Sequence, residues 1–358
     1  MSFSWLRTLG LLFGILVIPH GINAQYICKP CNAACDTLAF ARPGSCHGCG
    51  MQLIPGTQEV ADPITLEIGH GNFLVRDSRD PSKRIRVFYY RPESYSVDSD
   101  ILIVIPGTGR NADEYREAWV QMSEAYQILV VSPSFNEMYY DFEDYHLGAL
   151  VHSSNLTEAI RRIEGTNRVE LDESRYAYKV QPEEDQWIFS QFDQIFDKVK
   201  EATGSVRETY DLFGHSAGGH ILHRMALFYT GSKANRILAS NASFYTLPTE
   251  EYNYPFGIGN IPFGEAGLAG SFENHLVVFL GGEDNADETG GTFMVSESAN
   301  RQGKHRLERG RYFYKMARQV AGENGMHFNW KLVTIPGVGH NHSEMSAAAG
   351  EYLYGVRD

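Results

Sequence analysis

The sequence predicts an α/β protein, a mostly parallel central sheet with helices on both faces, preceded by a small zinc-ribbon-like cysteine module. Three observations carry this. From about residue 60 onward, short apolar runs rich in β-branched residues alternate with helical spacing. That alternation is the signature of parallel strands joined by crossover helices. A Gly-x-Ser-x-Gly segment, residues 214–218 (GHSAG), stands between one such run and a helix. All five cysteines fall between residues 28 and 49, outside the alternating region.

Composition bounds the function. Hydrophobic residues make up 43% of the 358 residues, ample for a core, which excludes a disordered chain. The net charge of −13 argues against nucleic acid and anionic membranes as partners. Residues 1–24 read as a signal peptide. Arg7 supplies a positive start, residues 9–19 (LGLLFGILVIP) an apolar run, and Ala24 a small residue at the cleavage point. The run is short for a membrane span. The expected location is secreted or periplasmic, with no membrane attachment after cleavage. The predicted organisation is a signal peptide over 1–24, a cysteine module over 25–56 and a catalytic domain over 60–358, with an insertion at 134–186.

Within the module, Cys28/Cys31 and Cys46/Cys49 form two Cys-x-x-Cys pairs. Two such knuckles facing each other build a tetrahedral sulfur site suited to Zn²⁺. Disulfides are the alternative in an exported chain, and Cys35 is left over from either pairing. A segment of about 30 residues cannot bury a useful core and needs such a staple. Gly44 and Gly50 suit the tight backbone of the knuckles. The stretch 26–55 resembles the short heavy-metal-binding domain of bacterial envelope and efflux proteins. The resemblance is carried by Tyr-x-Cys at its start and Pro-Gly-x-Cys-x-x-Cys-Gly-Met-x-Leu-x-Pro over 43–55.

Along the catalytic domain, residues 84–90 (RIRVFYY) read as a strand. Ile101–Ile105 (ILIVI) reads as a strand buried on both faces. Residues 111–126 read as one helix, with Asn111 as N-cap and Glu114 three residues on. Residues 128–131 (ILVV) form the next strand. The polar, aromatic-rich insertion 134–186 has the length of a lid or pocket wall. Helical spacing follows over 187–203, then a strand at 210–213 (YDLF) and an amphipathic helix at 220–229. Residues 276–280 (LVVFL) and 330–335 (WKLVTI) are the last two strands.

The chemistry is read from the strand ends. Gly-x-Ser-x-Gly on a strand–turn–helix is the nucleophile elbow: the glycines let neighbouring chains approach, and Ser216 is held strained above the sheet. A serine nucleophile needs a base and an orienting carboxylate, and in this topology the order is Ser, acid, His. His340 follows the glycines after the last strand, and His342 is expected to begin the next helix. Asp284 is the expected acid from its Gly-x-x-Asp spacing to Gly281, with Asp287 and Glu283 as alternatives. The oxyanion hole is expected from the amides of Thr108 and Ala217. Phe244 and Tyr245 are expected to line the substrate pocket, with residues 252–263 as a second wall.

These segments resemble the α/β-hydrolase superfamily, and within it secreted poly(3-hydroxybutyrate)-depolymerase-like and feruloyl-esterase-like proteins. The carrying residues are 106–115 (PGTGRNADEY), 214–218, 281–284 and 336–340 (PGVGH). The resemblance implies an exported serine hydrolase that cleaves small-molecule or polymeric esters through an acyl-enzyme on Ser216, with no cofactor for catalysis. A peptidase or thioesterase would use the same triad. A non-catalytic binding protein on this fold is the reading from another class.

Overall fold

The structure, a computed structural model, describes residues 26–28, 39–40, 42–55, 60–263, 265–286 and 290–355. Residues 1–24, expected from the sequence to be a signal peptide, and Cys31, Cys35 and Asp287 lie outside the described residues.

Eight strands form the central sheet: β1 (Gly69–Arg76), β2 (Arg84–Arg91), β3 (Ile101–Ile105), β4 (Leu129–Ser134), β5 (Tyr210–His215), β6 (Ala234–Ser240), β7 (Leu276–Gly281) and β8 (Lys331–Ile335). Their order is β8-β7-β6-β5-β3-β4-β2-β1. β1, β2 and β4 pair antiparallel, and every pairing from β4 through β8 is parallel. The central strands are apolar on both faces because helices cover both. All five residues of β3 and all six of β5 and β7 are buried. The parallel strands therefore end on one edge, the edge where open α/β sheets carry their sites.

Seven main helices flank the sheet: α1 (Ala112–Glu117), α2 (Val120–Tyr126), α3 (Ser190–Thr203), α4 (Ala217–Phe228), α5 (Glu265–Glu273), α6 (Arg306–Glu323) and α7 (His342–Tyr354). On α3, Phe192, Ile195, Phe196 and Val199 are buried at helical spacing, and Gly204 ends the helix at φ 67°. Helix α7 begins at His342, as expected. No helix among the described residues is long and apolar enough to cross a membrane.

Two helices differ from expectation. The single helix over 111–126 is broken into α1 and α2 at Trp119. That indole is fully buried and meets Phe213 edge-on at 5.4 Å, so core packing redirects the chain there. Asn111 makes no side-chain cap and instead donates to the Glu114 carboxylate. The helix after the elbow starts at Ala217, not at 220, and is not amphipathic: every residue from Ala217 to Phe228 is buried. A helix enclosed on all sides must satisfy its polar residues internally, and His220, His223 and Arg224 do so below.

The insertion folds into short pieces. Ile160–Arg162 pairs antiparallel with Arg168–Leu171, which pairs parallel with Phe293–Val295. This ties the insertion to the segment that follows β7. In the cysteine module, Tyr26–Ile27 pairs with both Ala39–Phe40 and Ile54–Pro55. Its small cluster of Cys28, Cys46 and Leu53 packs against Tyr139 of the insertion.

Candidate active site

The elbow is built by close backbone approaches. A Cβ on Gly218 would lie 2.2 Å from the Ile105 carbonyl oxygen, and one on Gly214 would lie 2.5 Å from the Gly218 carbonyl oxygen. Only glycine permits β3, β5 and the start of α4 to meet this tightly. Ser216 itself sits at φ 59°, ψ −111°, a conformation L-residues avoid, and its N–H donates to the Ser240 carbonyl at 2.9 Å.

Three side chains from three strand ends converge. His340 Nε2 lies 3.1 Å from Ser216 Oγ, and His340 Nδ1 lies 2.8 Å from Asp284 Oδ2. A carboxylate only accepts, so Nδ1 carries the proton and Nε2 is left to accept from the serine hydroxyl. The structure thus brings together Ser216, Asp284 and His340, while Glu283 is solvent-exposed. Asp284 is 1% exposed, and burial pushes its carboxyl up to about 6. Arg306 opposes that shift, with Nη1 3.2 Å from Asp284 Oδ1.

The acid and histidine loops are stitched to each other. The Gly282 N–H donates to the Ile335 carbonyl and the Glu283 N–H to the Val338 carbonyl, both at 2.8 Å. A Cβ on Gly281 would lie 2.5 Å from the Val338 oxygen, which explains the glycine. Asn241, fully buried at φ 51°, accepts from the Gly281 N–H at 2.9 Å and donates to the Gly339 carbonyl at 3.2 Å. The sequence marks Asn241 only as part of an Asn-x-Ser sequon, and nothing local reveals its bridging role.

Thr108 borders the same cleft as Ser216. Among the loop and turn hydrogen bonds of the described residues, none is donated by the Thr108 or Ala217 amide. Ala217 opens α4 at its positive end. The Thr108 loop is braced by Tyr145, whose hydroxyl donates to the Pro106 carbonyl at 2.7 Å.

The cleft has a volume of about 170 Å³. Phe142, His146, Leu156, Ile160, Arg162 and Val169 of the insertion line one side, and Phe244, Ser243, Thr292 and Met294 another. Phe244 thus lines the cleft that holds Ser216. Tyr245 does not: its ring is fully buried, stacked on Phe313 at 4.8 Å and packed beside His223. α6, which carries Phe313, supplies its packing partner. The stretch 252–263 is also not a wall of this cleft. Its Tyr254, Phe256 and Ile258 are core residues, and Pro255 accepts from Arg224 and Thr246.

Along and behind the cleft lie buried polar groups the sequence did not disclose. His146, His220 and His223 are buried, and burial pushes each well below its ordinary 6.5. Arg224, also buried, donates to the His146 and His220 carbonyls and lies 5.0 Å from the centre of the Phe244 ring. Beside the catalytic loops runs a wider groove of about 630 Å³ bordered by Arg168, Asn285, Phe293, Lys304, His305 and Arg306.

In the N-terminal module, the Sγ atoms of Cys28, Cys46 and Cys49 all lie within 4.8 Å of one another, with Cys28 and Cys49 3.3 Å apart. None of the three is in a disulfide. Burial and the neighbouring thiols push the Cys28 thiol up, a crowding that a bound cation relieves. The donor set fits a thiolate metal such as Zn²⁺.

A strained serine on an elbow, hydrogen-bonded through a histidine to a buried carboxylate on a parallel sheet edge, defines a serine hydrolase of the α/β-hydrolase fold. The chain is 32% identical to poly(aspartic acid) hydrolase-1 from Sphingomonas sp. KT-1, covering 81% of this chain and 99% of that one, with a TM-score of 0.68. It belongs to the same α/β-hydrolase family. The poly(3-hydroxybutyrate) depolymerase LpqC from Bordetella parapertussis shares the fold at 24% identity, covering 82% of this chain and 92% of that one, with a TM-score of 0.68. No family model and no curated protein matches the chain.

Proposed function

We propose that this protein is an exported serine hydrolase that cleaves carboxylic esters through an acyl-enzyme on Ser216. The observation that carries the reading is the continuous chain of contacts from Ser216 Oγ through His340 to Asp284, 3.1 Å and 2.8 Å long. Ser216 Oγ attacks the acyl carbon while His340 Nε2 takes the hydroxyl proton. The former carbonyl oxygen faces the Thr108 and Ala217 amides, each such donor contributing about 3 kcal/mol in the transition state. The bond to the alcohol breaks as His340 returns the proton to it. Water, deprotonated by His340, then attacks the acyl carbon, and the acid leaves as Ser216 Oγ regains a proton. Asp284 holds the imidazole in the working tautomer and stabilises it when cationic. Export rests on the signal-like residues 1–24, which imply a secreted or periplasmic location.

One observation favours a second reading, hydrolysis of amide bonds in an acidic polymer. The groove beside the catalytic loops carries Arg168, Lys304 and His305 on a protein whose net charge is −13. Such a local basic lining suits a substrate bearing carboxylates, and the relative above is a poly(aspartic acid) hydrolase. Turnover of p-nitrophenyl esters of graded chain length, set beside chain shortening of poly(aspartic acid), tests the two. Ester turnover alone supports the first, efficient polymer cleavage supports the second, and activity on neither overturns both.

For the module, Cys28, Cys46 and Cys49 would hold Zn²⁺, with a fourth ligand outside the described residues; Cys31 is the sequence candidate. The metal would stabilise the module. It takes no part in the acyl transfer.

A further inference from the structure

We propose that His146 is a specificity-determining donor in the Ser216 cleft, its Nε2–H receiving an oxygen acceptor carried by the substrate group that enters there. The proposal rests on the Ser216 cleft being the substrate site.

The tautomers of His146 and His220 are coupled. His146 Nδ1 lies 3.2 Å from His220 Nδ1, so one nitrogen donates and the other accepts. The Ser243 amide decides which. A backbone N–H can only donate, and it lies 2.9 Å from His220 Nε2. That nitrogen accepts, so the His220 proton sits on Nδ1 and is donated to His146. His146 then carries its own proton on Nε2. No hydrogen bond among the described residues uses that atom, and the residue lines the cleft.

The surroundings hold this state. His146 is 6% exposed and lines the cleft with Ser216 and Thr108. The Phe142 ring stacks on it at 4.4 Å and 13°. Burial, with Arg110 and Arg224 nearby, disfavours its cation. Phe142, Leu156, Ile160, Val169, Phe244 and Met294 make much of the wall apolar, and Arg162, Ser243 and Thr292 supply its other polar side chains beside Ser216, Thr108 and His220. A fixed donor set among these apolar side chains favours a chain that carries an acceptor at that point, because a wholly apolar chain leaves the donor unpaired. The ligand class is therefore an acyl group of short chain bearing a keto or hydroxyl oxygen.

The test compares kcat/KM for p-nitrophenyl 4-oxopentanoate with that for p-nitrophenyl pentanoate, in the wild type and in His146→Phe, which keeps an aromatic ring against Phe142. The expected result is a wild-type preference for the keto ester that falls at least about tenfold in the variant. A preference that survives the substitution overturns the proposal. Failure of the wild type on both esters, with no fluorophosphonate label on Ser216, overturns the triad reading instead, and this proposal with it. Should His146→Phe not fold, side-chain ¹⁵N shifts of the wild type decide: a neutral His146 protonated on Nε2 is expected, and an Nδ1 tautomer or an imidazolium overturns the proposal.

Discussion

Arg306 Nη1 lies 3.2 Å from Asp284 Oδ1, on the side of the carboxylate away from His340, so a buried cation backs the acid of the catalytic group. Both side chains are almost wholly enclosed. The same guanidinium donates to the Gly290 and Thr292 carbonyls, fixing the segment that borders the cleft. Arg306 is the largest influence favouring the Asp284 carboxylate against burial.

Removing that cation should move the pH profile. Without Arg306 the carboxylate form of Asp284 is less favoured, so its pKa rises from about 6. In Arg306→Met the acid limb of kcat/KM for a p-nitrophenyl ester therefore shifts to higher pH. A limb that stays put, or moves to lower pH, shows that Arg306 acts only on the loop carbonyls.

The buried histidines predict a steep loss of stability in acid. His146, His215, His220 and His223 all titrate well below their ordinary 6.5, chiefly through burial. Below that value the unfolded chain takes up protons that the native rings refuse. Their contribution is intact above 6.5 and lost as pH falls through it toward the depressed native values. Each proton is worth about 1.4 kcal/mol per pH unit, so four rings steepen the loss by up to about 5.5 kcal/mol per unit. Denaturant unfolding at pH 7.5, 6 and 5 reads this directly; a flat profile would mean that the rings are solvated or paired with acids.

Glycine substitutions should separate into two classes. Gly218→Ala forces a Cβ to 2.2 Å from the Ile105 oxygen and is expected to cost more than about 3 kcal/mol or to prevent folding. Gly322, exposed on α6 with nothing within 4 Å of an added Cβ, should gain about 0.5–1 kcal/mol as alanine. Chemical denaturation of both variants checks the contrast.

The cysteine module should bind one metal ion and leave catalysis alone. Protein prepared with zinc under reducing conditions should carry about one equivalent by elemental analysis, and Cys46→Ser should lose it. Chelation should lower the melting temperature without changing ester turnover. Intact-mass measurement finding a disulfide between Cys46 and Cys28 or Cys49 would contradict a metal site.

What could be read in advance followed from how local each signal is. Ser216, Asp284 and His340 each sit at a strand end beside glycines, so spacing within a few residues points to them. The strands were legible for the same reason: ILIVI and LVVFL are apolar on both faces because the sheet is covered on both. Features set by distant partners were not legible. Tyr245 turns to Phe313, and Trp119 breaks a helix to reach Phe213. His220, His223 and Arg224 look like the polar face of a surface helix, yet the Ser243 and Thr246 amides and the Pro255 carbonyl meet them inside the core. Arg306 and Asn241 carry no motif at all; only the three-dimensional meeting of two loops gives them their roles.

The triad geometry makes Ser216 a nucleophile activated by His340. Labelling with a fluorophosphonate, followed by peptide mass analysis, tests it most directly. A single adduct on Ser216 is expected in the wild type, lost in Ser216→Ala and slowed by roughly 10³-fold or more in His340→Ala. Labelling that persists undiminished in folded Ser216→Ala, or an unlabelled wild type, would contradict it.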